Sequence, residues 1–199
     1  MMKNWVYFAG FLVVAFSWLK ISEGVNIKSL SNRDIKYKYG LSAEFNDPNP
    51  GSTGCPDAVE ALERHNELRK QHNAPALKWS DSLAQEAREW ANHMASTKKF
   101  AHASAAVRNN HGENLAWLSS SRPAYQSTDM WYTEIRDYDF AHPGFNHATG
   151  HFTQVVWRDT KQVGIACAKN GKNTYVVARY DPPGNFRGQF KDNVISGSV

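Results

Sequence analysis

The stretch that decides the fold is QVGIACAKNGKNTYVVARY, at positions 162–180. It contains two β-rich runs, Gln162–Ala168 and Thr174–Tyr180, joined by the segment Lys169–Asn173. An Asn-Gly pair between two such runs is a strong hairpin signal, because both residues accept the positive φ of a tight turn. The Asp-Pro-Pro-Gly segment at 181–184 then ends the second strand. We therefore predict an antiparallel hairpin in the C-terminal part of the chain.

Three segments upstream of this hairpin carry helix signals. Asp57 followed by Glu60 is typical of a capping box, Ser80 or Asp81 is a candidate N-cap, and Pro123 suits the first position of a helix. Apolar residues follow each signal at helical spacing. The predicted buried faces are Ala58, Ala61, Leu62, His65, Leu68 and His72; Leu83, Ala87, Trp90, Ala91 and Met94; and Thr128, Trp131, Tyr132 and Ile135.

Three or four helices with a short antiparallel sheet indicate the α+β fold class. His65 and His72, on the first helical face, are interpreted as histidines at the edge of the core. Thr97–Gly112 has no helical or strand periodicity and is predicted to be a loop. Phe152–Trp157 is compatible with either a short helix or a strand.

Composition limits the class of protein. The chain has 199 residues, enough for one domain with tails, and its hydrophobic content of 41% excludes a wholly disordered chain. The net charge of +4 is too small for a nucleic-acid-binding protein, so we expect no nucleic-acid partner. Two cysteines, Cys55 and Cys167, are too few for a disulfide-dense scaffold or a four-cysteine zinc module.

Short catalytic motifs are missing from the sequence. It contains no Gly-x-Ser-x-Gly, His-Glu-x-x-His or Cys-x-x-Cys motif and no phosphate-binding glycine loop. Any functional site is therefore assembled from residues that are distant along the chain.

The N-terminus has the pattern of a secretory signal peptide. Lys3 precedes the apolar run Trp5–Leu19, which is shorter than the roughly 20 residues of a membrane-spanning helix. Small residues predict cleavage after Gly24, with Ala15–Ser17 as a second cleavage position and an uncleaved anchor as the alternative. We expect a signal peptide at 1–24, a flexible polar leader at 25–55, the folded domain at 56–194 and a tail at 195–199. Secretion would permit a disulfide between the two cysteines, which the sequence alone does not decide.

Four further stretches occur in a recognisable order: His65–Arg69, Gly112–Trp117, Gly150–Trp157 and Tyr180–Phe186. They resemble the signature motifs of the CAP superfamily, which comprises cysteine-rich secretory proteins, antigen-5 proteins and pathogenesis-related class 1 proteins. The resemblance extends over about residues 56–194 and looks closest to the Golgi-associated plant pathogenesis-related branch. It implies a three-layer α-β-α sandwich with a small antiparallel sheet, and it assigns a helix to the run that ends at Trp157.

The resemblance also implies a cleft with two His and two Glu. The motif match places them at His102, Glu113, Glu134 and His151. The family often has Ser directly after the first His, whereas this chain has Ala103. This departure counts against any mechanism that needs a serine beside His102.

The chemistry of these four residues leaves two alternatives open. Neutral imidazole is a common ligand of borderline divalent metals, so His102 and His151 are candidate ligands for Zn²⁺ or another divalent cation. Glu113 and Glu134 would then accept hydrogen bonds from ring N–H groups or from a bound water. The same four groups could instead form a hydrogen-bonded network without a metal.

Three functions follow as hypotheses. The resemblance implies first a secreted, non-enzymatic protein of the defence, venom or host-interaction type that binds sterols, fatty acids or anionic lipids. The candidate lipid contacts are Trp131, Tyr132, Tyr138 and Phe140. Packing in the core is the alternative for these aromatic residues. The second hypothesis is a metal-assisted hydrolase, protease-like, with Glu113 or Glu134 as the general base.

The third hypothesis is a Golgi or membrane-surface lipid-binding protein. Under the first hypothesis the protein has no catalytic residues and requires no cofactor beyond a divalent cation. We expect a lipid or sterol ligand or a membrane surface as partner, and a monomer or weak homodimer.

Overall fold

The structure, a computed structural model, describes residues 53–197. The predicted signal peptide and nearly all of the predicted leader lie outside the described residues. The elements in chain order are α1 (Ala58–Gln71), β1 (Lys78–Trp79), α2 (Asp81–Thr97), β2 (Gly112–Leu118), α3 (Pro123–Thr133), a 3₁₀ helix (Glu134–Asp137), α4 (Gly150–Val156), β3 (Gln162–Asn170), β4 (Asn173–Asp181) and α5 (Phe190–Asn193).

The four strands form one sheet in the order β1-β3-β4-β2. Strands β3 and β4 form the predicted hairpin, in which Asn170 pairs with Asn173 and Gly171 adopts a φ of +60° in the turn. Strand β2 pairs antiparallel with β4, whereas the two-residue β1 runs parallel to β3. The sheet is therefore antiparallel except at its β1 edge, where no tight turn sets the direction of the strand.

Helices cover both faces of this sheet, which confirms the three-layer α-β-α arrangement. Helices α1, α3 and α4 pack on one face, around Phe152 and Val176, and α2 packs on the other face, where Met94 lies near Val177. Consecutive residues of a strand point to opposite faces, so a strand between two helical layers has no polar face. This explains why β3 and β4 are nearly continuous apolar runs.

Two of the predicted helix starts are formed as expected, and a third has a different cap. Ser80 is the N-cap of α2 and accepts a hydrogen bond from Leu83 N–H at 3.4 Å, and Pro123 opens α3. Helix α1 begins directly after Asp57, but the predicted capping box is wrong because this carboxylate makes no cap hydrogen bond. It accepts instead from the backbone N–H of Tyr125 at 2.8 Å. A long-range bond to α3 thus replaces the local cap.

The two histidines predicted at the edge of the core are buried. His65 Nδ1 bonds to the carbonyl of Ala61 at 2.8 Å, and its Nε2 bonds to the hydroxyl of Tyr180 at 2.9 Å. Burial lowers the pKa of His65 to about 4 and raises the pKa of Tyr180. His72 Nδ1 bonds to the carbonyl of Ile195 at 2.6 Å, and burial lowers its pKa as well. Both residues therefore serve the structure of the core.

A disulfide joins Cys55 to Cys167, with the two Cα atoms 5.0 Å apart. It connects the segment before α1 to the middle of β3. Within residues 53–197, no helix has the length and apolar character needed to cross a membrane.

Candidate functional site

His102 and Glu113 form the first of two His–Glu pairs. The His102 side chain, in the loop before β2, is 60% exposed, whereas that of Glu113 on β2 is 2% exposed. His102 Nδ1 donates to Glu113 Oε1 at 2.6 Å, and the same oxygen accepts the backbone N–H of Ala103 at 3.0 Å. On the other side of the histidine, Trp90 Nε1 donates to the carbonyl of Ala101 at 3.0 Å. The backbone of the loop is therefore held on both sides of His102.

The Glu113 carboxylate also contacts a cation that was not predicted. Arg179 lies directly opposite Glu113 in the register of β2 and β4, and its Nη1 donates to Glu113 Oε2. The Arg179 side chain is buried, and its Nε and Nη2 have no hydrogen-bond partner among residues 53–197. The ion pair offsets part of the desolvation cost of burying this carboxylate beside His102.

The second pair, His151 and Glu134, lies at the start of α4. His151 Nδ1 donates to Glu134 Oε1 at 2.6 Å, while the backbone N–H groups of His151 and Phe152 donate to Oε2 at 2.9 and 3.1 Å. Glu134 thus binds the first turn of α4, where free N–H groups and the helix dipole favour a carboxylate. The helix Gly150–Val156 confirms the helical assignment that the resemblance implied.

The other end of α4 is bound by Arg69 from α1. Its guanidinium donates to the backbone carbonyls of Val155, Trp157 and Thr160 at 2.9, 2.8 and 3.0 Å. Burial lowers the pKa of Arg69 to about 10. A carboxylate at the N-terminus and a guanidinium at the C-terminus both match the helix dipole. Together they hold the helix that carries His151.

The two pairs bring all four predicted cleft residues together. The rings of His102 and His151 are stacked, with centroids 6.5 Å apart. A carboxylate bonded to Nδ1 favours the tautomer in which Nε2 carries the lone pair that a metal ion binds.

The four side chains of the site offer few donors for a metal ion. Among residues 53–197, no group of three or more His, Cys, Asp or Glu side chains is placed to hold a metal ion. Both carboxylates bond to a histidine Nδ1 atom. In each pair, Nε2 is the ring nitrogen that the carboxylate does not contact, so two imidazole Nε2 atoms are the donors that this site offers to an ion.

The four aromatic residues predicted as lipid contacts lie in the core or at its edge. Trp131 and Tyr138 are buried, and they expose too little surface to contact a lipid in this conformation. Tyr132 and Phe140 are partly buried and pack against Phe152. Trp131 and Tyr138 therefore pack in the core. Lipid contact by Tyr132 and Phe140 stays a prediction.

Two residues that hold the His102–Glu113 pair in place were not predicted in this role. Arg179 is the only charged residue in the β-rich run Thr174–Tyr180, and a lone charge in such a run signals a buried ionic partner. Trp90 was assigned to the buried face of its helix. Its hydrogen bond depends on the path of the following loop, for which the local sequence contains no signal.

An α-β-α sandwich in which four motifs place two His–Glu pairs side by side defines a CAP-domain protein. Residues 62–180, more than half of the chain, match the CAP domain of the cysteine-rich secretory protein family. The chain belongs to this family.

Individual comparisons agree with that assignment. The chain is 43% identical over 140 residues to the human Golgi-associated plant pathogenesis-related protein 1, covering 68% of this chain and 90% of that protein. It is 34% identical over 126 residues to pathogenesis-related protein 1 of Arabidopsis thaliana, covering 63% of this chain and 76% of that protein. The crystal structure of NaASP2 with Zn²⁺ matches with a TM-score of 0.58 at 22% identity, covering 76% of this chain and 90% of that one. This last likeness concerns the fold.

Proposed function

We propose that this protein is a secreted, non-enzymatic CAP-domain module whose cleft binds a ligand without converting it. The observation that carries the proposal is the hydrogen bonding of the two carboxylates. Each oxygen of Glu113 and Glu134 already accepts from a ring N–H, a backbone N–H or a guanidinium. A general base needs an oxygen within reach of the proton that it removes. The committed oxygens therefore argue against the hydrolase hypothesis.

A broad panel of peptide and ester substrates with added Zn²⁺ tests this proposal. We expect no turnover by the wild type, and saturable sterol or fatty-acid binding that survives Glu113→Gln and Glu134→Gln. A hydrolase would show turnover that falls by roughly 10²–10⁴-fold in either variant, the usual contribution of a general base. That second result would overturn the binding-module proposal.

We further propose that the cleft takes up Zn²⁺ or a similar divalent ion, with His102 and His151 as the two protein ligands. Because only two side chains coordinate the ion, the binding is weak and reversible. The bound ion would act as a Lewis acid toward an oxygen of the ligand. Calorimetry should show Zn²⁺ binding that is lost in the His102→Ala/His151→Ala variant. His142→Ala is the matched control, because His142 is 84% exposed and pairs with Asp139.

For the ligand we propose a sterol, a fatty acid or an anionic lipid, as family membership suggests. Phe140, which is only partly buried, is the aromatic side chain to test. Phe140→Ser should weaken binding of a fluorescent sterol or fatty acid. The control is Phe186→Ser, which removes a 47% exposed ring that was not predicted to contact lipid. Equal affinity in the two variants would refute a role for Phe140.

Secretion is proposed from the pattern of residues 1–24. N-terminal sequencing of protein from the culture medium should find Val25 as the first residue. Met1 retained in a membrane fraction would contradict secretion. It would support the second candidate, a Golgi or membrane-surface protein, which the 43% identity to the human Golgi-associated relative favours.

A further inference from the structure

Strand β2, at the edge of the sheet, contacts both His–Glu pairs. Glu113 and Asn114 are consecutive residues of this strand, so their side chains point to opposite faces of the sheet. Glu113 binds His102 on one face. On the other face, Asn114 Nδ2 donates to the backbone carbonyl of His151 at 3.1 Å and to the hydroxyl of Tyr180 at 3.3 Å.

The polarity of the buried network fixes the orientation of the Asn114 amide. The Ala61 carbonyl can only accept, so His65 carries its hydrogen on Nδ1, and its Nε2 accepts from Tyr180 O–H. The Tyr180 oxygen is then an acceptor, as is the carbonyl of His151. Asn114 must therefore present its NH₂ group to both partners, and the residue is 1% exposed to solvent.

His151 is thus fixed at three points. Glu134 binds its ring Nδ1 and its backbone N–H, and Asn114 binds its backbone carbonyl. Only the bond from Asn114 comes from the same strand that holds His102 through Glu113. This strand is therefore the structural link that sets the distance between the two rings.

We propose that Asn114 is a positioning residue of the cleft, which fixes His151 relative to His102 through the carbonyl of His151. The inference rests on the proposed metal-binding function and adds a residue outside the two His–Glu pairs. Asn114 contacts neither the ion nor the ligand. Its effect on binding is transmitted through the backbone of α4.

The test compares Asn114→Leu and Asn114→Ala, which remove the NH₂ donor, with Tyr180→Phe. The Tyr180→Phe variant breaks the buried network at the adjacent hydroxyl but keeps the bond from Asn114 to His151. Urea unfolding first establishes conditions in which each variant is folded. We then expect Zn²⁺ affinity to fall roughly three- to tenfold in both Asn114 variants, as for one lost hydrogen bond, and to stay within about twofold in Tyr180→Phe. An affinity unchanged in the Asn114 variants, or equally reduced in Tyr180→Phe, would overturn the proposal.

A second measurement needs no metal. The ring ¹⁵N and ¹³C resonances of metal-free protein should move for His151 in the Asn114 variants, while those of His102 stay in place. If the wild type takes up no Zn²⁺, the proposal of metal binding is wrong. The role of Asn114 is then tested by these resonances alone. Equal shifts at both rings, or none at His151, would refute it. Either Asn114 variant that folds is sufficient for this measurement.

Discussion

Acidification should destabilise the protein, and the buried side chain of His65 should account for a measurable part of the loss. Both of its ring nitrogens are already bonded, Nδ1 to the carbonyl of Ala61 and Nε2 to the hydroxyl of Tyr180. A second proton on Nε2 would break the bond from Tyr180 and place a charge in the core. Burial is the main reason that the pKa of His65 falls from 6.5 to about 4.

The direction and the size of this loss of stability follow from the difference between the pKa values of His65 in the folded and unfolded protein. Below pH 6.5 the unfolded chain binds a proton at this histidine, whereas the folded protein does so only near pH 4. The contribution of His65 to the free energy of unfolding is therefore fully present above pH 6.5 and is lost as the pH falls toward 4. Each pH unit in this window corresponds to about 1.4 kcal/mol, so the total loss is about 3 kcal/mol.

Urea unfolding at pH 7, 5.5 and 4 measures this loss when the wild type is compared with His65→Gln. The difference between their free energies of unfolding should shrink by about 3 kcal/mol between pH 7 and pH 4, because the variant lacks the titrating ring. His147→Gln, at an exposed position, should leave the pH dependence of the wild type unchanged. An NMR titration of His65 with a pKa near 6.5, or parallel pH profiles for wild type and His65→Gln, would refute the reasoning.

Three further changes test the packing of the fold. Replacing Cys55 and Cys167 by Ser should lower the free energy of unfolding by about 4–5 kcal/mol in urea, because the disulfide closes a chain segment of 112 residues; a loss below 1 kcal/mol would contradict this. Gly164→Ala should prevent stable folding, as judged by circular dichroism, since its Cβ would lie 2.1 Å from a backbone nitrogen of α2; a native-like spectrum and melting curve would show that the helix can move away. Arg179→Met should cost about 3–5 kcal/mol by leaving the Glu113 carboxylate buried without its cation, and Glu113→Gln in the same chain should restore part of it; the prediction fails if the double variant is less stable than Arg179→Met.

Patterns within short stretches of sequence were sufficient to predict several helices and the hairpin. The hairpin of β3 and β4, the apolar faces of α1 and α2, and the start of α3 at Pro123 all follow from spacing, caps and turn residues. The four cleft positions came from motif resemblance and could not come from spacing. His102 and Glu113 are on a loop and a strand, and Glu134 and His151 are on separate short helices, so no single periodicity contains them.

Strands β1 and β2 were not assigned from the sequence, and β2 shows why. Its sequence, GENLAWL at residues 112–118, has polar residues at Glu113 and Asn114, so it lacks both the alternation of a half-exposed strand and the apolar run of a buried one. Both side chains are nevertheless buried, because Arg179 and Tyr180 on the neighbouring strand satisfy them. Polar burial of this kind depends on partners that are distant along the chain.

The sequence by itself determined helices α1, α2 and α3, the hairpin and, through its motifs, the family and the identity of the four predicted cleft residues. The tertiary structure alone decided how those residues are used. The Asp57 carboxylate accepts from the backbone N–H of Tyr125 and does not cap its own helix, and Cys55 forms a disulfide with Cys167. The tertiary structure also directed both cleft carboxylates to histidine Nδ1 atoms and backbone N–H groups. The physical reason is that caps, turns and periodicity act within a few residues, whereas these bonds form only when the packed layers bring distant donors and acceptors together.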